Sequence, residues 1–260
     1  NILHLTYHNK GGTGNVAYHN GLELARQGHE VDIFTVAQAG APAHETFDDL
    51  RIHRLEPALR YGNAAFIPGL YRALRPFDLV HLHMPFYGGC EAMYHLKQRH
   101  GVPLVITHHQ DVVLSGLTSL ISVVHDRIIG RAVMRAADRV CFTSLDYGRA
   151  SRFADLLGDD SVRVAELPNG VDPERFTPGI PREEVMTRHD LLAKEVVLFV
   201  GGLDRAHYFK GVPHLIQAMD QLEQPDVALL IVGEGEMRTV YRKQAAELGV
   251  ADRVHFAGFV

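Results

Sequence analysis

The chain has 260 residues, enough for one large or two modest domains, and its 46% hydrophobic and 22% charged residues match an ordinary globular protein. A formal net charge of -5 gives bulk electrostatics no reason to favour nucleic acid. No run of 18 apolar residues spans a bilayer, and Cys90 and Cys141, far apart among apolar neighbours, read as reduced, buried thiols of a cytosolic protein rather than as a disulfide framework.

The first residues already form a strand-like run, Ile2–Tyr7, with no signal-peptide pattern and no initiator Met, so a few leading residues are expected to be missing. Further buried strands are expected at Val31–Val36, Leu79–Leu82, Leu104–Thr107 and Val140–Thr143, with helices at Asn15–Gln27, Gly88–His100 and Ser119–Ala137 between them. Strand then helix, repeated over short connections, predicts an α/β fold with a parallel sheet covered on both faces. The run Leu167–Pro178, LPNGVDPERFTP, is too rich in Pro, Gly, Asn and Asp for a long helix or a central strand. After it the pattern restarts with strands at Val196–Val200, Val227–Val232 and Val254–Phe256 and helices at Pro213–Leu222 and Met237–Leu248. Two domains are expected, 1–169 and 170–260, the second incomplete because an open doubly wound sheet needs more strands to bury both faces.

Four sites carry candidate chemistry. The first, His8-Asn9-Lys10-Gly11-Gly12-Thr13-Gly14, leads from strand to helix, where glycines admit close approach and a helix N-terminus offers free N–H groups to a phosphate or sugar hydroxyl. Gly12, Gly14 and Ala17 also fit the dinucleotide pattern G-x-G-x-x-A, which would make the chain an NAD-dependent oxidoreductase. That pattern wants an acid at the end of the second strand; Phe34–Gln38 has none, and Asp32 lies inside the strand. The second site is Thr107-His108-His109-Gln110-Asp111 at the C-terminal end of a strand, where open α/β sheets bind ligands. His108 reads as structural and His109 as a donor to a sugar hydroxyl or to developing charge, and no H-E-x-x-H spacing suggests a metal.

The third site, Gly201–Gly211, holds Arg205 and Lys210 in one loop, a fork and a point charge suited to a diphosphate on which negative charge builds as a glycosidic bond breaks. The fourth is the turn Gly233-Glu234-Gly235, whose glycines admit close approach of a nucleotide. Arg127, Arg131 and Arg135, with the apolar stripe Ile121, Val124, Ile128, Ile129 and Val133, form either a basic face for anionic lipid or a charged acceptor, or a solvated helix face.

In order along the chain, GGTGNVAYHNGLELARQGHEVDIFT (11–35), Thr107-x-His109, LPNGVD, Lys210-Gly211, VGEGE and RVHFAGFV resemble glycosyltransferase family 4, the retaining enzymes of the two-Rossmann (GT-B) fold. The resemblance implies two Rossmann-like domains facing a cleft, a nucleotide-diphosphate sugar as co-substrate with no cofactor and no metal, and a glycan or lipid-linked acceptor. It implies a cytoplasmic enzyme, peripheral at the inner membrane face where the acceptor is a lipid. Arg205 and Lys210 would hold the diphosphate, Gly12 would approach the sugar and phosphate, His109 would contact the transferred sugar, and main chain near Phe259 and Val260 would face the base. Gly202 stands where family members often have Arg, and the family's Glu-x7-Glu element, expected beyond Val260, leads us to expect weak activity or none from these residues alone. A non-catalytic nucleotide-binding remnant is the remaining reading. Acceptor choice would rest on loops such as Ala41–Asp49 and Ser115–Ser122.

Overall fold

The apolar runs of the first half become the strands of one sheet because both of its faces are covered. In the computed structural model, which describes residues 2–6, 11–61, 64–74, 77–112, 116–179 and 182–260, the chain divides into two compact units, Asn1–Val171 and Asp172–Val260. The first unit begins with β1 (Ile2–Leu5), α1 (Gly11–Arg26), β2 (Val31–Val36), β3 (His44–Phe47), β4 (Leu50–Leu55), β5 (Leu59–Tyr61), β6 (Ala64–Phe66) and α2 (Leu70–Ala73). It continues through β7 (Leu79–Met84), α3 (Gly89–His100), β8 (Leu104–His108), α4 (Gly116–His125), a π-helical turn (Asp126–Gly130), α5 (Arg131–Ala136), β9 (Arg139–Phe142), α6 (Leu145–Ala150), a 3-10 turn (Ala154–Gly158) and β10 (Val164–Glu166).

The main sheet runs β10-β9-β8-β7-β1-β2-β4-β3. Every pairing is parallel except the edge pair β3·β4, so the sheet is not wholly parallel as expected. From β1 the chain builds outward through β2 and β4, then crosses back to build the other half from β7. The strand order therefore reverses between β1 and β7, and the C-terminal edge beside that switch is where open sheets place ligands. All six residues of β2 are buried, and Leu3, Leu82, Ile106 and Phe142 are wholly enclosed in the larger core. Each such side chain contributes about 1.5–3 kcal/mol relative to exposure.

Three expectations need correction here. Ala41–Asp49 and the described part of Ser115–Ser122 are not loops: the first contains β3 and the second lies largely in α4, while Ser115 lies outside the described residues. The strand β4 was not expected, although L-R-I-H-R-L alternates and buries Leu50, Ile52 and Arg54 on one face. The apolar stripe of 119–137 splits: Val133 is wholly buried, but Ile121, Val124 and Ile128 face solvent.

The arginine face splits as well. The Arg131 guanidinium pairs with Asp155 at 2.8 Å and donates to the Arg152 carbonyl, and Arg135 pairs with Asp159 at 3.1 Å. These two arginines clamp the 3-10 turn and are not a free basic surface.

The second unit holds α7 (Glu183–Arg188), β11 (Glu195–Val200), a 3-10 turn (Arg205–Lys210), α8 (Val212–Gln221), β12 (Val227–Val232), α9 (Arg238–Glu247) and β13 (Val254–Gly258). Its sheet runs β11-β12-β13, all parallel. Leu203, Ile216, Leu229, Ile231 and Tyr241 pack one face, and Met186, Leu191, Ala228 and Leu230 the other. The helix α7 and the 3-10 turn are additions to the two expected helices. The strand expected at 196–200 is β11; among the described residues it pairs with β12 alone, at the edge of the sheet, and leaves Leu198 and Val200 60% and 66% exposed.

Candidate active site

Two strands meeting at the switch bring histidines into register. His4 on β1 pairs with His81 on β7, and His83 lies two residues further along β7, on the same face. His4 Nδ1 lies 2.9 Å from His83 Nε2, and His83 Nδ1 lies 2.9 Å from His109 Nε2. The rings of His83 and His109 stack at 5.2 Å between centroids, tilted by 11°. His81 Nε2 lies 2.7 Å from Thr107 Oγ1. His109 follows β8 directly, and its backbone N–H donates to the Met84 carbonyl at 3.0 Å. This bond ties His109 to the end of β7, and the stacked pair sets its ring.

Burial governs the charge of these rings. It lowers His4 to a pKa of about 4 and pushes His81 and His83 well below the ordinary imidazole value, aided by their neighbours. Burial, then the neighbouring His108, lowers His109 to about 4. All four are therefore neutral near pH 7. Among the described residues, His4, His81 and His83 are also a set close enough to hold a metal ion, with ligand atoms within 4.8 Å of one another.

His108 has a different surrounding. Its Nε2 lies 3.1 Å from the Asp111 carboxylate, and its ring is wholly enclosed against Phe142, Tyr147 and Phe153. Asp111 also accepts from the Arg152 backbone N–H at 3.0 Å, so this pair staples the loop after β8 to the segment after α6.

Of the first loop, His8, Asn9 and Lys10 lie outside the described residues. The helix begins already at Gly11, so Gly12 and Gly14 belong to its first turn rather than to a loop before it. Gly12 is exposed and a Cβ there would meet nothing within 4 Å, while Gly14 is buried. Asp32, the only acid near the end of the second strand, is not free for a ribose. It is 4% exposed and accepts from Arg51 Nη2 at 2.7 Å with His53 Nε2 at 2.5 Å.

In the second unit, Arg205 and Lys210 lie on a 3-10 turn rather than in an open loop, ended by Gly211 at φ 74°. Both are exposed, and neither has a side-chain partner among the described residues. The Arg205 backbone N–H donates to Glu236 at 3.0 Å. The Lys210 chain lies across Gly201: a Cβ at Gly201 would stand 2.9 Å from Lys210 Nζ. At Gly202, where an arginine would be usual, a Cβ would meet His207 Nδ1 at 3.0 Å, and His207 is itself held by Asp204 at 2.7 Å.

The glycines of the fourth site answer to their own chain. A Cβ at Gly233, whose φ is 144°, would stand 1.9 Å from the Gly201 carbonyl oxygen, and one at Gly235 would stand 2.2 Å from the Leu203 carbonyl carbon. Only glycine lets these turns pack backbone to backbone, closed by Leu203 N–H donating to the Glu234 carbonyl at 2.9 Å. The Glu234 side chain pairs with Arg238, and Val260 is 80% exposed.

Among the described residues of the first unit, the structure joins His109 to a buried histidine row. In the second it brings Arg205, Lys210, Gly201, Gly233 and Glu234 to one sheet edge. Sequence reasoning missed His4, His81 and His83. The signal was there in His81-Leu82-His83, since His-x-His on a strand points both rings to one face.

Comparison with known proteins finds that residues 10–175 match the family described as Glycosyltransferase Family 4, and residues 182–260 match Glycosyl transferases group 1. A D-inositol 3-phosphate glycosyltransferase of Mycobacteroides abscessus is 30% identical over 95% of this chain and 59% of its own length. A phosphatidyl-myo-inositol mannosyltransferase of Mycolicibacterium smegmatis is 30% identical over 91% of this chain and 58% of its own length. This chain thus spans about three fifths of the length of these relatives. Among solved structures, a sucrose-phosphate synthase from Thermosynechococcus elongatus superposes with a TM-score of 0.74 at 22% identity, covering 100% of this chain and 70% of that one. An Anabaena protein, HepE, in complex with UDP and glucose reaches 0.70 at 18% identity, covering 100% and 69%. These likenesses carry the two-Rossmann (GT-B) fold.

Proposed function

This chain belongs to glycosyltransferase family 4, and on that premise we propose that its protein moves a hexosyl group from a nucleoside diphosphate sugar to a hydroxyl acceptor with retention of configuration. The observation that carries this reading is the pair of exposed cations, Arg205 and Lys210, without a carboxylate partner among the described residues. They stand on the turn that follows Gly201–Asp204, the stretch packed against the Gly233–Gly235 backbone. An unneutralised fork and point charge on a fixed turn suit the leaving diphosphate, whose charge grows as the C1–O bond breaks. Glu234 and the main chain near Val260 take the nucleoside side of the donor.

In the first unit, His109 meets the transferred sugar as a neutral hydrogen-bonding group. Gly12 leaves room beside the first turn of α1, where backbone N–H groups and the helix dipole favour phosphate oxygens. The acceptor hydroxyl attacks the face the diphosphate leaves, and its proton passes to the departing diphosphate oxygen. No covalent enzyme intermediate and no metal are required. The oxidoreductase alternative loses its anchor, since Asp32 is spent on Arg51 and His53.

The names of the relatives, with inositol 3-phosphate and phosphatidyl-myo-inositol, support a polyol or lipid-linked acceptor. No helix among the described residues is long and apolar enough to cross a membrane. Contact with a membrane would instead use α4, where Leu120, Ile121, Val123 and Val124 are exposed beside Arg127. Vesicles containing phosphatidylinositol should retain the protein on flotation, and Leu120→Ser with Ile121→Ser should release it. Retention unaffected by that pair would remove α4 from this role.

The donor is tested by calorimetric titration with UDP, GDP, ADP and NAD. Selective binding of one nucleoside diphosphate supports the transferase and identifies the base. Binding of NAD alone, or of none of the diphosphates by the full-length protein, overturns it.

A further inference from the structure

The row His4–His83–His109 has a direction that the hydrogen-bond arithmetic reveals. A neutral imidazole carries one N–H and one lone pair. Each link in the row, His4 Nδ1 to His83 Nε2 and His83 Nδ1 to His109 Nε2, consumes one of each. Only two arrangements satisfy both links at once: every proton points toward His109, or every proton points toward His4.

The buried end decides between them. His4 is wholly enclosed, and its Nε2 has no hydrogen-bond partner. Protons running toward His4 would strand an N–H there, in the core, at the full desolvation cost of a buried donor. Protons running toward His109 leave only a lone pair at that atom. At the other end, His109 is half-buried and its Nδ1 makes no hydrogen bond within the described residues, so it presents its group outward in either arrangement.

We infer that His83, backed by His4, is a positioning residue that holds the His109 proton on Nδ1 and so presents an N–H donor at the C-terminal edge of the sheet. The link to catalysis rests on the reading of His109 as the residue that meets the transferred sugar; the tautomer itself does not. A neutral Nδ1–H donates to a hydroxyl or a charged oxygen and cannot act there as a base, which narrows the role of His109 to hydrogen-bond donation.

A metal ion is the competing account of the cluster. His4 Nδ1, both nitrogens of His83 and His81 Nε2 are, however, already engaged with protein partners, and the set contains no carboxylate or thiolate to offset a cation in the core.

Long-range 1H–15N NMR of the imidazoles in the intact protein at neutral pH reads the tautomers directly. His109 and His83 should both appear as the Nδ1–H form. In His83→Phe the His109 signals should shift to a mixture of tautomers, with turnover down about 10-fold and donor KM changed less than about twofold, the pattern of lost orientation. His109 carrying its proton on Nε2 in the unaltered protein overturns the inference, whatever the variant does. Stoichiometric zinc in the purified protein overturns it as well. Should His109→Ala retain full turnover, the catalytic reading of His109 falls while the spectrum still decides the tautomer.

Discussion

His109→Ala should lower turnover by about 100-fold to 1,000-fold, the range for losing one fixed donor aimed at developing charge, while donor affinity changes less than about threefold. The expectation follows from how the ring is held. Its backbone N–H is bonded to Met84 and its Nε2 to His83, so the ring keeps its orientation before substrate arrives. A preorganised group costs nothing to orient in the transition state, and its loss falls on kcat rather than on ground-state binding. Steady-state kinetics of the full-length protein, with donor affinity measured separately, checks this. Equal loss in turnover and donor affinity would make His109 a binding residue only.

The pH profile gives the same reading a second check. Burial lowers the His109 pKa to about 4, so the neutral donor is fully present above the ordinary imidazole value. It is lost only as pH falls through about 4. His109 should therefore contribute no acid limb to kcat near pH 6.5, and a limb there that vanishes in His109→Ala would show that the imidazole titrates in an exposed state.

Much of this frame was legible in the chain because burial on two faces leaves continuous apolar runs. Val31–Val36 and Val227–Val232 were expected as strands and are strands with those limits. What escaped depended on partners distant in sequence. The alternation of β4 reads as a half-buried strand only once β2 supplies Asp32 for Arg51. Arg131 and Arg135 look like a basic helix face until Asp155 and Asp159, each 24 residues on, fold back onto them.

The glycines taught a similar lesson. Gly233 was expected to make room for a nucleotide, yet the carbonyl that its missing Cβ would strike belongs to Gly201. The histidine row crosses 79 residues between His4 and His83 and comes from strand register alone.

Lys210→Ala should weaken nucleoside diphosphate binding by about 1.5–3 kcal/mol, the range for a hydrogen bond to a charged group, which is roughly a 10-fold to 150-fold loss in affinity. Three features set Lys210 apart from an ordinary surface lysine. Its amine has no carboxylate partner among the described residues. Its side chain lies across Gly201, where a Cβ would come within 3.0 Å of its Cδ, so the chain is laid along the backbone rather than left free in water. Gly211 follows at φ 74° and turns the chain directly into α8, fixing the base of the side chain. A cation restrained in this way gives up less conformational freedom on meeting a phosphate than a fully mobile one. Because the contact is largely electrostatic, the loss should shrink as ionic strength rises. Lys210→Arg should recover part of the affinity, since a guanidinium keeps the charge but brings a planar fork in place of a point charge. Arg205→Ala should cost less than Lys210→Ala, because no observed contact restrains its guanidinium. Calorimetric titration of the three variants with the preferred diphosphate orders them, and affinity unchanged in Lys210→Ala would remove this lysine from the donor site and return the 3-10 turn to a solvated surface element.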